Sequence, residues 1–202
     1  MSMKAVDLVL LPCEEMTEKA IEANGKLVRR FGRKIVLNKK DCLPHISLAM
    51  GCLDEAELPD VEKVLKQIAG QLSLSNLTAG RIEITVNSVG EKVSSFEVER
   101  TKELQRLHEE VTGKVETYFS YDVSGDMICG TEEAAESTLL WIKNYREKSS
   151  FGNFRPHITI GYGQIDNFSL PIKFTASELA LCHLGNHCTC RKVLLSIKLE
   201  TA

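Results

Sequence analysis

The chain has 202 residues, 43% of them apolar, enough for a real core and for one compact domain or two lobes sharing a cleft. Its 25 Lys and Arg against 28 Asp and Glu give a formal charge of −3, which argues against an obligate binder of duplex nucleic acid but leaves room for a small anionic substrate or a short RNA end. The seven cysteines, Cys13, Cys42, Cys52, Cys129, Cys182, Cys188 and Cys190, are odd in number and scattered, a pattern of reduced thiols rather than of a disulfide framework.

In chain order, Val6 to Leu11 reads as a buried strand ended by Pro12. It is too short and too interrupted by charge for a signal peptide or a membrane span. No polybasic or lipidation signature accompanies it, so a cytosolic chain with no membrane partner is expected. A helical pattern from about Glu14 to Arg30 carries Ala20, Ile21, Ala23, Leu27, Val28 and Phe31 and should stop at Gly32. Leu43 to Gly51 is a strand in which Ile46, Leu48 and Met50 point one way and His45, Ser47, Ala49 and Gly51 the other. Leu58 to Gly70 reads as a helix. Arg81 to Val86, Ser95 to Glu99 and Val115 to Tyr121 are predicted strands, with a helix from about Lys102 to Val111 ahead of the last.

After a loop around Asp122 to Asp126, a helix is predicted from Glu132 to about Arg146. A break at Ser149 to Gly152 leads into a strand from Arg155 to Gly163. There Ile158, Ile160 and Tyr162 face one side, and His157, Thr159, Gly161 and Gly163 the other. Ile172 to Leu184 and Thr189 to Leu199, separated by Gly185-Asn186-His187-Cys188, read as a β-hairpin. Alternating strands and helices favour an α+β or mixed two-layer structure.

An internal repeat is the strongest signal. Laying His45 over His157 also aligns Pro44 with Pro156, Ile46 with Ile158, Ser47 with Thr159, Gly51 with Gly163 and Asp54 with Asp166. Composition does not explain the match, because the chain has only 5 prolines and 5 histidines. Two related lobes packed about an approximate twofold axis would account for it, with both histidines facing one groove. Two imidazoles titrating near neutrality can divide phosphodiester hydrolysis, one accepting a proton from water and one donating to the leaving oxygen. The hydroxyls of Ser47 and Thr159 can hydrogen-bond the non-bridging phosphate oxygens. Small residues beside them, Ala49, Gly51 and Gly161, are expected to leave room for a ligand. This chemistry requires no metal or other cofactor, and no carboxylate cluster surrounds either histidine in sequence.

Pro44-His45-Ile46-Ser47-Leu48 and Pro156-His157-Ile158-Thr159-Ile160 resemble the paired His-x-(Ser/Thr) motifs of the 2H phosphoesterases, the group that includes RNA 2′,3′-cyclic phosphodiesterases and 2′-5′ RNA ligase-like proteins. The resemblance implies one bilobal, duplicated α+β domain over residues 1–202. Its antiparallel sheets would flank a central cleft, with helices outside and the motif strands near 43–51 and 155–163. It further implies His45 and His157 as acid and base, in either assignment, and Ser47 and Thr159 as phosphate ligands. The substrate would be a nucleotide or short RNA end, and no obligate protein partner is implied. A nucleotide- or RNA-binding module of the same fold without turnover is the alternative.

Arg155, two residues before His157, falls on the cleft face if the strand begins early and could then hold a phosphate; its counterpart is Leu43. Phe96, Tyr118, Tyr121, Phe151 and Phe154 could stack on bases but are more often core residues. Arg33, Lys34 and Lys39 could attract an anion, although a solvated basic edge is the plainer reading. Cys182, His183, His187, Cys188 and Cys190 include enough soft ligands for zinc, yet their spacing follows no finger pattern and incidental reduced thiols are expected.

Overall fold

The computed structural model describes residues 2–71, 74, 76–87, 89–165 and 168–199. Runs of apolar residues bounded by turn residues become eight strands: β1 (Met3–Pro12), β2 (Ile46–Asp54), β3 (Leu77–Val86), β4 (Lys92–Val98), β5 (His157–Tyr162), β6 (Ile172–Phe174), β7 (Ala176–Gly185) and β8 (Thr189–Lys198). The helices are α1 (Glu14–Phe31), α2 (Leu58–Ala69), α3 (Lys102–Val115) and α4 (Glu136–Ser149). Gly32 ends α1 with a φ of 97°, a conformation that favours glycine. Pro59 lies in the first turn of α2, and the Thr101 hydroxyl caps α3 by accepting from the Leu104 N–H.

The strands form two antiparallel sheets of four, ordered β2-β1-β7-β8 and β5-β4-β3-β6. The motif strands β2 and β5 are therefore edge strands, and these two edges meet. The helices cross over: α1 follows β1 of the first sheet but packs on β5 of the second, whereas α3 follows β4 of the second and packs on β2 of the first. One apolar cluster consequently runs through both halves, joining Leu8 and Leu10 of β1 to Phe96 of β4, Ile158 of β5, Leu27 of α1 and Leu107 of α3. Full burial of each such side chain contributes about 1.5–3 kcal/mol before conformational entropy is counted. The bilobal, duplicated α+β architecture is thus present.

Three segments differ from the sequence reading. Val115 to Tyr121 is not a strand; α3 continues to Val115, and Ser120 makes only an isolated bridge to Cys52. The run from Ile172 to Leu184 is divided at Thr175, so that β6 joins the second sheet and β7 the first. The fourth helix starts at Glu136, four residues later than its composition suggests.

The most consequential difference is a pair of β-bulges. Leu8 and Val9, adjacent on β1, pair with Ala49 and Ser47, leaving Leu48 without a partner; Ser94 and Ser95, adjacent on β4, pair with Gly161 and Thr159, leaving Ile160 without one. Leu48 and Ile160 correspond under the alignment that pairs His45 with His157. Each extra residue reverses the strand's alternation beyond it. Ala49 therefore turns into the main core, while Met50 joins a separate cluster with Cys52 beneath α4.

The bulge carbonyls are satisfied by buried side chains from the crossing helices. Asn24 of α1 donates Nδ2–H to Ile160 O at 2.8 Å, and His108 of α3 donates Nδ1–H to Leu48 O at 2.8 Å. The matched glycines have a packing reason too. A Cβ on Gly51 would lie 2.8 Å from the Phe119 ring, and one on Gly163 would lie 2.2 Å from Phe31. In both halves the glycine admits an aromatic ring from the end of the crossing helix. Asp54, the other end of the repeat, caps the 3-10 turn at Glu55–Glu57; its partner Asp166 lies outside the described residues.

Candidate active site

Each motif opens with a proline, which keeps the residue before it extended. In each, that residue's carbonyl accepts a hydrogen bond from the histidine two positions on. His45 Nδ1–H donates to Leu43 O at 2.8 Å and His157 Nδ1–H donates to Arg155 O at 2.8 Å. Because a carbonyl can only accept, Nδ1 must carry hydrogen and Nε2 is the nitrogen left for proton exchange in both rings. Ser47 and Thr159 follow on the same strand faces, each partly exposed between two buried apolar neighbours. The two histidines are close enough for the charge of His157 to act on His45.

The structure thus sets Ser47 beside His45 on one edge and Thr159 beside His157 on another, and these two edges touch. It does not use Ala49, Gly51 or Gly161 to open the cleft. The bulges place Ala49 in the core, Gly51 under Phe119 and Gly161 against Asn24 and Leu27, so these small residues serve helix packing and the expected ligand space beside them is absent.

Asp7 is a site residue that sequence reasoning missed. Its side chain is fully buried on β1, and Ser47 Oγ–H donates to its Oδ2 at 2.6 Å. Oδ2 also lies 3.8 Å from His45 Nε2, while Oδ1 has no hydrogen-bond partner among the described residues. Burial raises the Asp7 carboxyl well above the usual carboxylate range, and the Ser47 bond offsets only part of that. Burial likewise pushes His45 down to about 4, with the Leu43 carbonyl opposing and the His157 charge adding to the shift. The available signal was a single acid within the otherwise apolar run Val6 to Leu11.

The second half has no such residue. Asp7 pairs with Met50 on β1–β2, and the matching pair on β4–β5 is Val93 with Tyr162. Thr159 makes no side-chain hydrogen bond among the described residues, and His157 is the more open imidazole, with the exposed Arg155 before it. Arg155 and its counterpart Leu43 share one function the structure does show, the main-chain carbonyl that orients a histidine.

Of the other candidates, Phe96 and Phe154 are core residues; Phe154 stacks on His108 with ring centroids 4.0 Å apart. Lys34 pairs with Glu91 and lies over Tyr162, and Lys39 bridges Glu14 and Glu18, leaving Arg33 as an exposed loop cation. The Cys/His hairpin does not converge as a set: His183 Nε2 bonds Met127 O and His187 Nδ1 bonds the Tyr162 hydroxyl. Cys190 instead lies near Asp7 and His45. No helix among the described residues is long and apolar enough to cross a membrane.

Comparison with solved structures identifies the same two-sheet arrangement elsewhere. The chain is similar to Thermus thermophilus TT0787, with 19% identity and a TM-score of 0.54 over 96% of this chain and 97% of that one. It is also similar to Escherichia coli LigT, with 13% identity and a TM-score of 0.51 over the whole of both chains; LigT has been crystallised in apo form and in complex with 3′-AMP and with ATP. The fold is therefore that of the LigT-like proteins. No protein-family model and no curated protein sequence matches the chain.

Proposed function

We propose that this chain is a 2H-type phosphodiesterase that hydrolyses a 2′,3′-cyclic phosphate or a 2′-5′ phosphodiester of a nucleotide or RNA end. The observation that carries the reading is the duplicated histidine geometry: two edge strands in contact, each presenting an imidazole whose Nδ1 is fixed by a carbonyl and whose Nε2 is left for proton transfer. The likeness to LigT, solved with 3′-AMP and with ATP, supports a nucleotide-sized ligand.

The asymmetry of the site supports a division of roles. His45, with its side chain only 12% exposed, is held neutral by desolvation and presents a lone pair at Nε2, so it takes the proton from the attacking water. His157, the more open ring, gives its Nε2 proton to the departing ribose oxygen. The new P–O bond to water forms as the P–O bond to ribose breaks, leaving a phosphomonoester. Thr159 donates to a non-bridging oxygen directly. Ser47 can do the same when Asp7 is protonated, because a neutral carboxyl can itself donate to Ser47 Oγ and release the Ser47 proton toward phosphate. Arg155 adds a positive charge at the open end of the site. Both proton transfers are assigned to imidazoles, so turnover in chelator is expected.

The test is incubation of the chelator-treated protein with 2′,3′-cyclic mononucleotides, ADP-ribose 1″,2″-cyclic phosphate, cyclic-phosphate-ended RNA and 2′-5′ oligoadenylate, beside folded His45→Ala and His157→Ala variants. Product that vanishes in both variants establishes the reaction and its substrate class. Saturable binding of any of these compounds without product in the unmodified protein would sink the enzymatic reading in favour of a binding module.

A further inference from the structure

Cys190 is fully buried on β8, yet it lies close to Asp7 and His45 of the first half. One ligand atom each from Asp7, His45 and Cys190 lie within 4.8 Å of one another, and His45 Nε2 and Asp7 Oδ2 are 3.8 Å apart. We propose that these three side chains form a zinc-class binding site, which takes a divalent cation through one carboxylate oxygen, one imidazole nitrogen and one thiolate.

The spacing fits. Tetrahedral zinc with bonds of about 2.0–2.1 Å to N and O and about 2.3 Å to S sets its ligand atoms roughly 3.3–3.6 Å apart. The His45–Asp7 pair needs to close by roughly 0.5 Å or less and no pair by more than about 1.5 Å. A mixed S, N and O donor set suits zinc rather than magnesium or calcium, which prefer oxygen alone.

Supporting contacts around the ligands are already in place. His45 Nδ1–H is committed to Leu43 O, which leaves Nε2 as the coordinating nitrogen, and Asp7 is held from behind by Ser47. The Leu43 N–H donates to Cys190 O at 3.0 Å, tying the histidine-bearing segment to the strand that carries the thiol. The carboxyl also has acceptor capacity to spare: Asp7 Oδ1 is fully buried and has no hydrogen-bond partner among the described residues, while Oδ2 is the oxygen nearer His45. One carboxylate plus one thiolate would neutralise the two positive charges of a cation held there. Among the described residues, this is the only group of three or more such side chains that converges. The equivalent place in the second half holds Val93, so the site belongs to one histidine alone.

Binding displaces the Cys190 thiol proton and any Asp7 proton to solvent. A metal on His45 Nε2 occupies the lone pair that would accept the water proton. The consequence that zinc and turnover exclude one another rests on the hydrolytic reading above; the binding itself does not.

The experiment is a titration of the reduced, full-length chain with cobalt(II) and zinc(II) in the absence of substrate, the thiols protected by a non-thiol reductant. The expected result is one cobalt per chain with a thiolate-to-cobalt charge-transfer band that zinc bleaches stoichiometrically. Cys190→Ala should abolish the band, and His45→Ala should weaken zinc binding at least ~10-fold. Cys182→Ala, a neighbouring buried thiol, should keep the band and shows that loss in Cys190→Ala is not a general effect of removing a core sulfur. No stoichiometric cobalt uptake, or a band that persists in Cys190→Ala and disappears in Cys182→Ala, would overturn the site. Because no substrate is present, either result stands apart from whether the protein hydrolyses anything.

Discussion

The two halves carry the same motif on the same bulged edge strand but in different surroundings. In the first, His45 is nearly buried and Ser47 is tied to the inaccessible Asp7. In the second, His157 is more open, Thr159 has no side-chain partner among the described residues, and Val93 stands where Asp7 would be. Duplication preserved the backbone that aims each imidazole, down to the helix side chain that satisfies the bulge carbonyl. What diverged is solvation, the property on which the proposed division into proton acceptor and proton donor rests.

The largest effects should come from the imidazoles. His45→Ala and His157→Ala are each expected to lower kcat by ~10²–10⁴-fold, with the double variant little worse than either, because the two transfers belong to one reaction. Intact far-ultraviolet circular dichroism and an unchanged unfolding transition would establish that the fold survives. If His45 is the acceptor, kcat/KM measured in chelator should hold up below the ordinary histidine range and fall only as pH approaches about 4, where His45 becomes protonated. An acid limb near pH 6.5 would instead transfer the acceptor role to a solvated imidazole.

The hydroxyls sharpen the contrast. Thr159→Val should cost activity by up to ~10²-fold, read in kcat, with little change in Tm. Ser47→Ala should cost both, because it also strips the buried Asp7 of its one hydrogen-bond donor, at about 1–3 kcal/mol of stability. Equal thermal shifts in the two variants would mean that Asp7 does not distinguish the halves.

The bulge supports come next. Asn24 makes three buried hydrogen bonds, to Ile160 O, Ile35 O and the Leu37 N–H, whereas His108 makes two, to Leu48 O and from the Phe151 N–H. Asn24→Leu is expected to destabilise by about 1–3 kcal/mol, and His108→Leu by somewhat less, since the apolar replacement retains contact with Phe154. Chemical denaturation would read both. Loss of activity in these variants at temperatures where they remain folded would connect the bulges to the aim of the histidines.

The sequence made the repeat legible because proline, histidine and hydroxyl residues are chemically distinctive and kept their spacing. The strands, the α1 stop at Gly32 and the hairpin at 185–188 were legible from periodicity and turn residues. The bulges were not, because an extra residue leaves the apolar count unchanged while inverting the face of everything after it; hence Ala49, Gly51 and Gly161 were assigned to the wrong side. Asp7 and Cys190 escaped for another reason. Asp7 meets the His45 segment through the β1–β2 pairing and Cys190 through its bridge to Leu43, contacts between residues about 40 and about 150 positions apart, and nothing local to either residue announces its neighbour.

The smallest expected effect is also the most specific to the first half. Asp7 is faced by His45, by Cys188 and Cys190 of the final hairpin and by Tyr145 of α4. Burial raises the two thiols and the phenol and lowers the imidazole, so all four neighbours favour the neutral form and none supplies a compensating cation. The folded chain therefore keeps a proton on Asp7 over a pH range in which the unfolded chain, with its carboxyl near 3.8, has lost it. Stability should fall as pH rises from that unfolded value toward the raised folded one, since the native state binds more protons across this window. Asp7→Asn has no proton to lose, so its Tm should decline less between about pH 4 and pH 7 than that of the unmodified protein, by a few degrees for a chain of this size. Val93→Ala at the matching position should leave the pH slope of Tm as it was. Parallel Tm curves for the unmodified protein and Asp7→Asn would show that the carboxyl ionises in the folded state, and with it would go the proton that lets Ser47 turn toward phosphate.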